Sequence, residues 1–141
     1  MPRPLPFALS LFAILAVTSC EAGGIGGPVG PVTPLPPAVS VTGTWRGEAV
    51  SDFGSVREIT FVLQQFDYNV AGRGSMTAPS GEVYFVGEVD GYNAYPEVSF
   101  ALRAPLYEPM TARGRLTDRE TMTLVLDGSG WDGTPVTLRR R

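Results

Sequence analysis

The chain has 141 residues, 14 acidic side chains, 11 basic side chains that are all arginine, a formal net charge of −3, and neither histidine nor lysine. The missing residues exclude a Ser-His-Asp triad, a Cys-His pair, a lysine Schiff base and a histidine-ligated metal, which leaves carboxylate chemistry or a hard-metal oxygen site. A mildly acidic protein has no general electrostatic reason to bind DNA or RNA, so we expect neither an enzyme nor a nucleic-acid-binding protein.

Residues 1–19 have the layout of a secretory signal peptide. Arg3 supplies the positive start, an apolar stretch runs from Phe7 to Val17, and two small residues follow it. The apolar stretch is shorter than the roughly 18–20 residues that span a bilayer, so a transmembrane helix is not expected. A plain secretory signal with a cysteine near its cleavage site is the alternative interpretation.

The only cysteine of the chain comes next. The sequence Val17-Thr18-Ser19-Cys20 resembles the lipobox of bacterial lipoproteins. The resemblance implies that cleavage leaves Cys20 as the first residue and that its sulfur receives a diacylglycerol. Such lipoproteins usually carry three acyl chains, and each buried CH₂ contributes about 0.8 kcal/mol to membrane binding. With Cys20 lipidated, the mature domain has no thiol for a disulfide or a cysteine-ligated zinc site.

The residue after the cysteine bears on the expected location. It is Glu21 and not aspartate. By analogy with sorting in Gram-negative bacteria, the absence of aspartate there favours the outer membrane. We therefore expect a protein of the bacterial cell envelope that a lipid anchor holds to the membrane.

Residues 20–40 are predicted to be the lipidated cysteine followed by a disordered linker. Positions 21–40 contain five glycines and five prolines, which are incompatible with a helix or a central strand. We interpret this segment as a tether that lifts a folded domain clear of the membrane. The alternative is that its proline-rich part serves as a peptide ligand.

Residues 41–141 have the pattern of an all-β domain. Apolar residues alternate with polar ones, turn residues recur every 8–15 positions, and no helical periodicity is present. The pattern predicts eight strands, over 41–50, 57–65, 70–77, 82–90, 97–103, 109–116, 121–127 and 134–140. Because short connections require antiparallel neighbours, we predict a single antiparallel eight-stranded up-and-down β-barrel, with a two-sheet β-sandwich as the alternative.

The alternation also predicts the inner face of the barrel. It consists of Trp45, Phe61, Leu63, Val70, Met76, Val83, Phe85, Val89, Val98, Phe100, Leu102, Met110, Leu116, Met122, Leu124, Leu126, Val136 and Leu138. The large side chains favour a filled barrel, whereas the glycines on the same face (Gly47, Gly72, Gly74, Gly87 and Gly114) indicate tight bends and some free space. No inward polar group is predicted, which favours a packed core over an apolar ligand cavity.

The start of the first strand carries a family resemblance. Gly43-Thr44-Trp45 resembles the Gly-X-Trp opening of the calycins, the superfamily of lipocalins, avidins and fatty-acid-binding proteins. The resemblance implies a calycin-like barrel in which an arginine near the last strand packs over the tryptophan. Arg140 is the candidate, and a cation–π contact of this kind contributes about 0.5–2 kcal/mol. Alternatively, Trp45 is a plain core residue and the arginines are solvated. The further biotin-stacking tryptophans of avidins and the lipocalin disulfide have no counterpart, so no ligand residue is transferred.

Aromatic residues in the predicted loops are candidates for contact with a partner. They are Tyr92, Tyr95, Tyr107 and Trp131, and their alternative role is to cover the ends of the barrel. The glycine-rich loop 127–133 lacks the carboxylate spacing of an EF-hand, so no metal and no cofactor are predicted.

These features together predict a monomeric, lipid-anchored envelope lipoprotein whose barrel is a non-enzymatic binding or structural module. Its partner would be an envelope protein or a small apolar ligand. One alternative is a carrier that holds a small apolar ligand inside the barrel. Another is an inhibitor that docks its loops into a secreted enzyme.

Overall fold

The computed structural model describes residues 37–141, so the predicted signal peptide, the lipobox with Cys20 and the linker up to residue 36 lie outside the described residues. The described chain forms eight strands: β1 (Gly43–Val50), β2 (Val56–Phe66), β3 (Asn69–Thr77), β4 (Val83–Ala94), β5 (Glu97–Arg103), β6 (Met110–Leu116), β7 (Thr121–Asp127) and β8 (Thr134–Arg140). Across residues 37–141, no helix is long and apolar enough to cross a membrane.

The strands form one closed antiparallel barrel. Each strand pairs with its neighbours in sequence, and β1 pairs with β8 to complete the ring. The predicted fold class is therefore confirmed, and the two-sheet sandwich is not what the chain forms. Closure pairs every strand on both sides, which removes the exposed edges through which sheets associate.

The predicted boundaries of β5, β7 and β8 are confirmed, and most others move by one or two residues. The exception is β4, which continues to Ala94, so the prediction that this strand ends at residue 90 was wrong. The pairing with β5 runs on through Asn93, opposite Val98, and leaves only a tight turn at Tyr95 and Pro96. The polar Asn93 does not end the strand because its side chain finds hydrogen-bond partners inside the barrel.

Apolar side chains fill the interior. Every residue of the predicted inner face is buried except Val83, and the buried apolar set also includes Val41, Ala49, Ile59, Ala112 and Trp131. Phe61 and Phe100, both midway along their strands, meet edge to face with ring centroids 6.3 Å apart. The middle of the barrel is therefore occupied by side chains and is not hollow.

The predicted inward orientation of Val83 is wrong, because its side chain is 57% exposed. A β-bulge explains the difference. Met76 pairs with Phe85 and Thr77 pairs with Val83, so that Tyr84 is an additional residue on β4. An extra residue shifts the inward and outward alternation of a strand, which turns Val83 to the outside.

Glycines on the inner face allow the barrel to be this tightly packed. A Cβ at Gly47 would collide with the carbonyl oxygen of Thr137 on β8 and would lie 2.8 Å from a methyl group of Leu138. A Cβ at Gly74 would lie 2.8 Å from the ring of Phe61. Neighbouring backbone and side chains thus take up the space beside the glycines, and the strands coil tightly around the core.

One end of the barrel is closed, and we call it the plugged end. Val41, in the segment before β1, is fully buried, and its carbonyl oxygen accepts a hydrogen bond of 2.7 Å from the Trp45 indole N–H. The Asn93 amide donates to the carbonyl oxygen of Val39 at 2.7 Å and to Oε1 of Gln65 at 2.9 Å. Since a buried amide without partners would cost free energy, these hydrogen bonds hold the entering segment against the barrel.

Arg140, on the last strand, completes the plugged end. Its guanidinium carbon lies 4.7 Å from the centroid of the Trp45 ring, and the group donates hydrogen bonds to the carbonyl oxygens of Thr42 at 2.9 Å and Ser40 at 2.5 Å. The residue therefore lies where the alternation of β8 and the calycin resemblance place it. Val39 and Ser40, which the sequence assigns to the linker, contact the barrel here, so the chain enters the domain at the plugged end.

Arg140→Gln tests how much this contact stabilises the domain. The change removes the cation–π contact and the charged donor of two hydrogen bonds, so we expect the free energy of unfolding to fall by about 1–3 kcal/mol. Arg139→Gln is the matched control, because Arg139 is exposed, and its effect should stay within about 0.5 kcal/mol. Urea unfolding followed by circular dichroism measures both variants, and equal effects would contradict the role of Arg140.

Candidate functional site

The end opposite the plugged end is surrounded by four loops, and we call it the mouth. The loops span residues 51–55, 78–82, 104–109 and 128–133, which connect β1 to β2, β3 to β4, β5 to β6 and β7 to β8. A cavity of about 180 Å³ lies among them. A protein cavity of about 150 Å³ can hold benzene, so the mouth cavity has room for a small ring system and not for a long chain.

The floor of the cavity is apolar. Met76, Phe85 and Trp131 line it, and all three are buried. The ring of Phe85 meets the ring of Tyr107 edge to face, with centroids 5.2 Å apart. Tyr107 thereby forms a wall that rises from the floor to the rim.

The rim of the mouth exposes large apolar side chains. Phe53 is 85% exposed, and Leu106 is fully exposed. The Phe53 ring covers the backbone of Gly130, where a Cβ would come within 3.3 Å of it. Clusters of exposed apolar side chains beside a cavity are typical of binding surfaces.

The loop between β7 and β8 turns Trp131 into the barrel. Gly128, Ser129 and Gly130 have φ values of 86°, 53° and 89°, and the two glycines adopt this left-handed region without strain. The Gly128 N–H donates to the Trp131 carbonyl oxygen at 2.8 Å, and the Trp131 N–H donates back at 3.2 Å. The prediction that Trp131 faces a protein partner was therefore wrong, since the tryptophan is 5% exposed and forms part of the cavity floor.

Arg57 is the only charged residue that lines the cavity. It stands on the inner face of β2 because it precedes the buried Ile59 by two residues. Its guanidinium carbon lies 3.9 Å from the centroid of the Tyr84 ring, on β4. Within residues 37–141 the only ion pair joins Arg103 and Asp90, so no carboxylate of this range pairs with Arg57.

Arg57 was not predicted as a site residue, although the alternation of β2 contains the signal. Arg57 lies two residues before Ile59 and four before Phe61. Because side chains of a strand alternate between its two faces, this spacing places Arg57 on the inner face. A charged residue at the end of a strand is usually exposed to solvent, so the charge of Arg57 argues against the inward position that the alternation predicts. Arg57 is half-buried in the structure and supplies an inward polar group that the sequence analysis did not predict.

The other predicted loop aromatics do not share one surface. Tyr107 lies at the mouth, whereas Tyr92, on β4, and Tyr95, in the turn after it, lie toward the plugged end. All three side chains are exposed. The four candidates therefore form two groups. Tyr107 and the buried Trp131 line the cavity, and the two tyrosines near the plugged end do not.

Ionisable groups elsewhere do not form a second centre. No cluster of three or more histidine, cysteine or acidic side chains that could hold a metal ion occurs in the described part of the chain. The Glu120 N–H donates a hydrogen bond of 2.7 Å to the exposed Asp118 carboxylate, which lowers the pKa of Asp118 below its ordinary value. That turn joins β6 to β7 at the plugged end, away from the cavity.

Comparison with known proteins identifies the fold class. No protein-family model and no curated protein matches the chain. The chain is similar to a de novo designed fluorescence-activating β-barrel, with a TM-score of 0.58, 16% sequence identity, and coverage of 71% of this chain and 93% of that chain. It is also similar to a redesigned β-barrel, mFAP1, bound to DFHBI, with a TM-score of 0.59, 16% identity, and coverage of 70% and 94%. At this identity the likeness shows the barrel fold alone.

The burial of Trp131 can be tested by fluorescence quenching. In a Trp45→Phe variant Trp131 is the only tryptophan, and we expect acrylamide to quench its emission much less in the folded protein than in urea. Acrylamide suits the test because it is neutral and Arg57 does not attract it. Circular dichroism confirms that the variant is folded. Equal quenching in the folded and unfolded variant would contradict the placement of Trp131.

Proposed function

We propose that this protein is a bacterial envelope lipoprotein whose barrel binds a small aromatic or apolar molecule at its mouth and catalyses no reaction. The observation that carries the proposal is the mouth cavity of about 180 Å³ with its floor of Met76, Phe85 and Trp131. Small-molecule sites are typically concave, mostly apolar and equipped with a few polar groups. The cavity has this composition.

The filled interior supports the mouth as the binding site and speaks against a ligand deep inside the barrel. Phe61 and Phe100 occupy the middle, so a carrier that encloses its ligand there would need to displace them. The two designed barrels are, by their descriptions, fluorescence-activating in one case and bound to DFHBI in the other. They support the idea that a small barrel of this shape can bind a small ligand.

The residues at the mouth favour binding over catalysis. Arg57 is the only charged residue of the cavity lining, and arginine side chains bind anions rather than act as general acids or bases. The chain has no histidine and no lysine to take that role. On these grounds we propose a binding protein rather than an enzyme.

The signal sequence and lipobox support anchoring through Cys20, with the outer membrane as the proposed location. The chain enters the domain at the plugged end through Val39 and Ser40. A tether from Cys20 would thus attach to the plugged end and leave the mouth on the far side of the domain, open to ligands. Closed pairing of all strands is compatible with a monomer.

Cys20→Ala tests the anchor. We expect the unaltered protein to be found in the membrane fraction with residues 1–19 removed and acyl groups added. The variant should retain residues 1–19 and carry no acyl groups, because both steps require the cysteine. Intact-mass spectrometry measures both changes. Glu21→Ala, which leaves Cys20 in place, is the control and should still be processed and acylated; an unaltered protein without acyl mass would contradict the proposal.

Ligand binding can be measured with N-phenyl-1-naphthylamine, a neutral probe whose naphthalene group has the size that the cavity holds and whose emission rises in apolar surroundings. The mature chain without lipid, residues 21–141, should bind it, and Tyr107→Ala should weaken binding about fivefold because the wall of the cavity is lost. Tyr92→Ala removes an equally exposed tyrosine from the other end of the barrel and should have no effect. No binding, or equal losses in both variants, would contradict the mouth as the site.

A further inference from the structure

We infer that the mouth cavity selects planar aromatic ligands that carry a negative charge, and that Arg57 pairs with the anionic group. The inference rests on the proposed function and names the ligand class of the same site. It depends on three observations: a cationic group without a counter-ion, a cavity-lining tryptophan whose indole N–H has no hydrogen-bond partner, and the size of the cavity.

The guanidinium of Arg57 is held in place but not neutralised. Its face lies against the Tyr84 ring at 3.9 Å, and one N–H donates to the carbonyl oxygen of Val56 at 3.0 Å. A guanidinium that lies over an aromatic ring keeps the N–H groups along its edge available, except for the one that donates to Val56, and these groups can bind a carboxylate through two parallel hydrogen bonds. The remaining donors of Arg57 have no acceptor among residues 37–141.

The acidic residues around the mouth do not pair with Arg57. They are Asp52, Glu82, Glu108, Asp127 and Asp132, all exposed in the loops or at the strand ends, and none lies within 4.0 Å of the Arg57 guanidinium nitrogens. Glu82 instead accepts a hydrogen bond of 3.3 Å from the Tyr84 hydroxyl. A half-buried cation without a counter-ion favours an anion that brings its own apolar surface into the cavity.

Trp131 supplies the second donor. Its side chain is buried in the cavity floor, with the residue only 5% exposed, yet its indole N–H has no hydrogen-bond partner among residues 37–141. The only buried polar side-chain atom without a partner in this range is Nε of Arg140 at the plugged end, so the indole nitrogen of Trp131, a residue that lines the cavity, is reached by solvent. Buried tryptophans usually satisfy this N–H, and a polar atom of a ligand would do so here.

The size of the cavity limits the apolar part of the ligand. About 180 Å³ holds one or two fused rings between the edge-to-face pair of Phe85 and Tyr107 and the Trp131 floor. A long alkyl chain would extend over the rim into solvent. The geometry therefore favours an aromatic acid over a fatty acid.

The test compares naphthalene-2-carboxylate with naphthalene-2-carboxamide, which share one ring system and differ in charge. Isothermal titration calorimetry on residues 21–141 should show that the carboxylate binds about tenfold more tightly than the amide. Arg57→Gln should remove this difference by weakening the carboxylate alone, and Arg57→Lys should restore part of it. Arg113→Gln removes the same charge from the outer face of β6 and is the matched control; it should bind both compounds as the unaltered protein does.

The outcomes separate this inference from the function on which it rests. Equal affinities of the two compounds, or an Arg57→Gln variant that is still selective, would overturn the anionic ligand class and leave binding at the mouth in place. Binding of neither compound, together with no binding of N-phenyl-1-naphthylamine, would overturn both. Equal losses in the Arg57→Gln and Arg113→Gln proteins would reduce the effect to net charge and likewise overturn the role of Arg57. Thermal unfolding of each variant establishes that it is folded.

Discussion

The limited volume inside an eight-stranded barrel governs where this protein can bind anything. Such a barrel has room for its own side chains or for one small ligand, and here the edge-to-face pair of Phe61 and Phe100 occupies the middle. Glycines such as Gly47 allow the strands to approach more closely, because backbone atoms of the neighbouring strand occupy the space that a Cβ would need. Free volume therefore remains only at an end of the barrel, and the segment before β1 fills one of the two ends.

The two ends use arginine in opposite ways. At the plugged end, Arg140 stacks on Trp45 and donates to two carbonyl oxygens of the entering chain, so its hydrogen bonds are made within the protein. At the mouth, Arg57 stacks on Tyr84 in a similar manner but donates only to the adjacent Val56 carbonyl oxygen. Both arginines lie over an aromatic ring, but Arg140 stabilises the fold whereas Arg57 remains available to a ligand.

The sequence predicts the barrel well because alternation extends over nearly every strand, and Val83 is the one residue that it wrongly places on the inner face. That error comes from the bulge at Tyr84. The bulge depends on the pairing of β3 with β4 near their ends, and no local sequence pattern indicates it. The prediction for Trp131 was wrong because a glycine-rich loop suggests exposure, whereas its left-handed path turns the ring inward. The site was harder to predict than the fold, since it combines residues from three loops with residues of β2, β3 and β4, and these become neighbours only when the barrel forms.

The up-and-down order of the strands also has a kinetic consequence. Seven of the eight pairings join strands that are consecutive in sequence, whereas the pairing of β1 with β8 spans nearly the whole domain. Contacts between distant segments form more slowly than local hairpins, so we expect this seam to close last. Until it does, β1 and β8 each present an unpaired edge through which folding chains can associate. Trp45 and Arg140 face each other across this seam, so the contact that closes one end of the barrel also limits the time during which the folding chain is prone to aggregate.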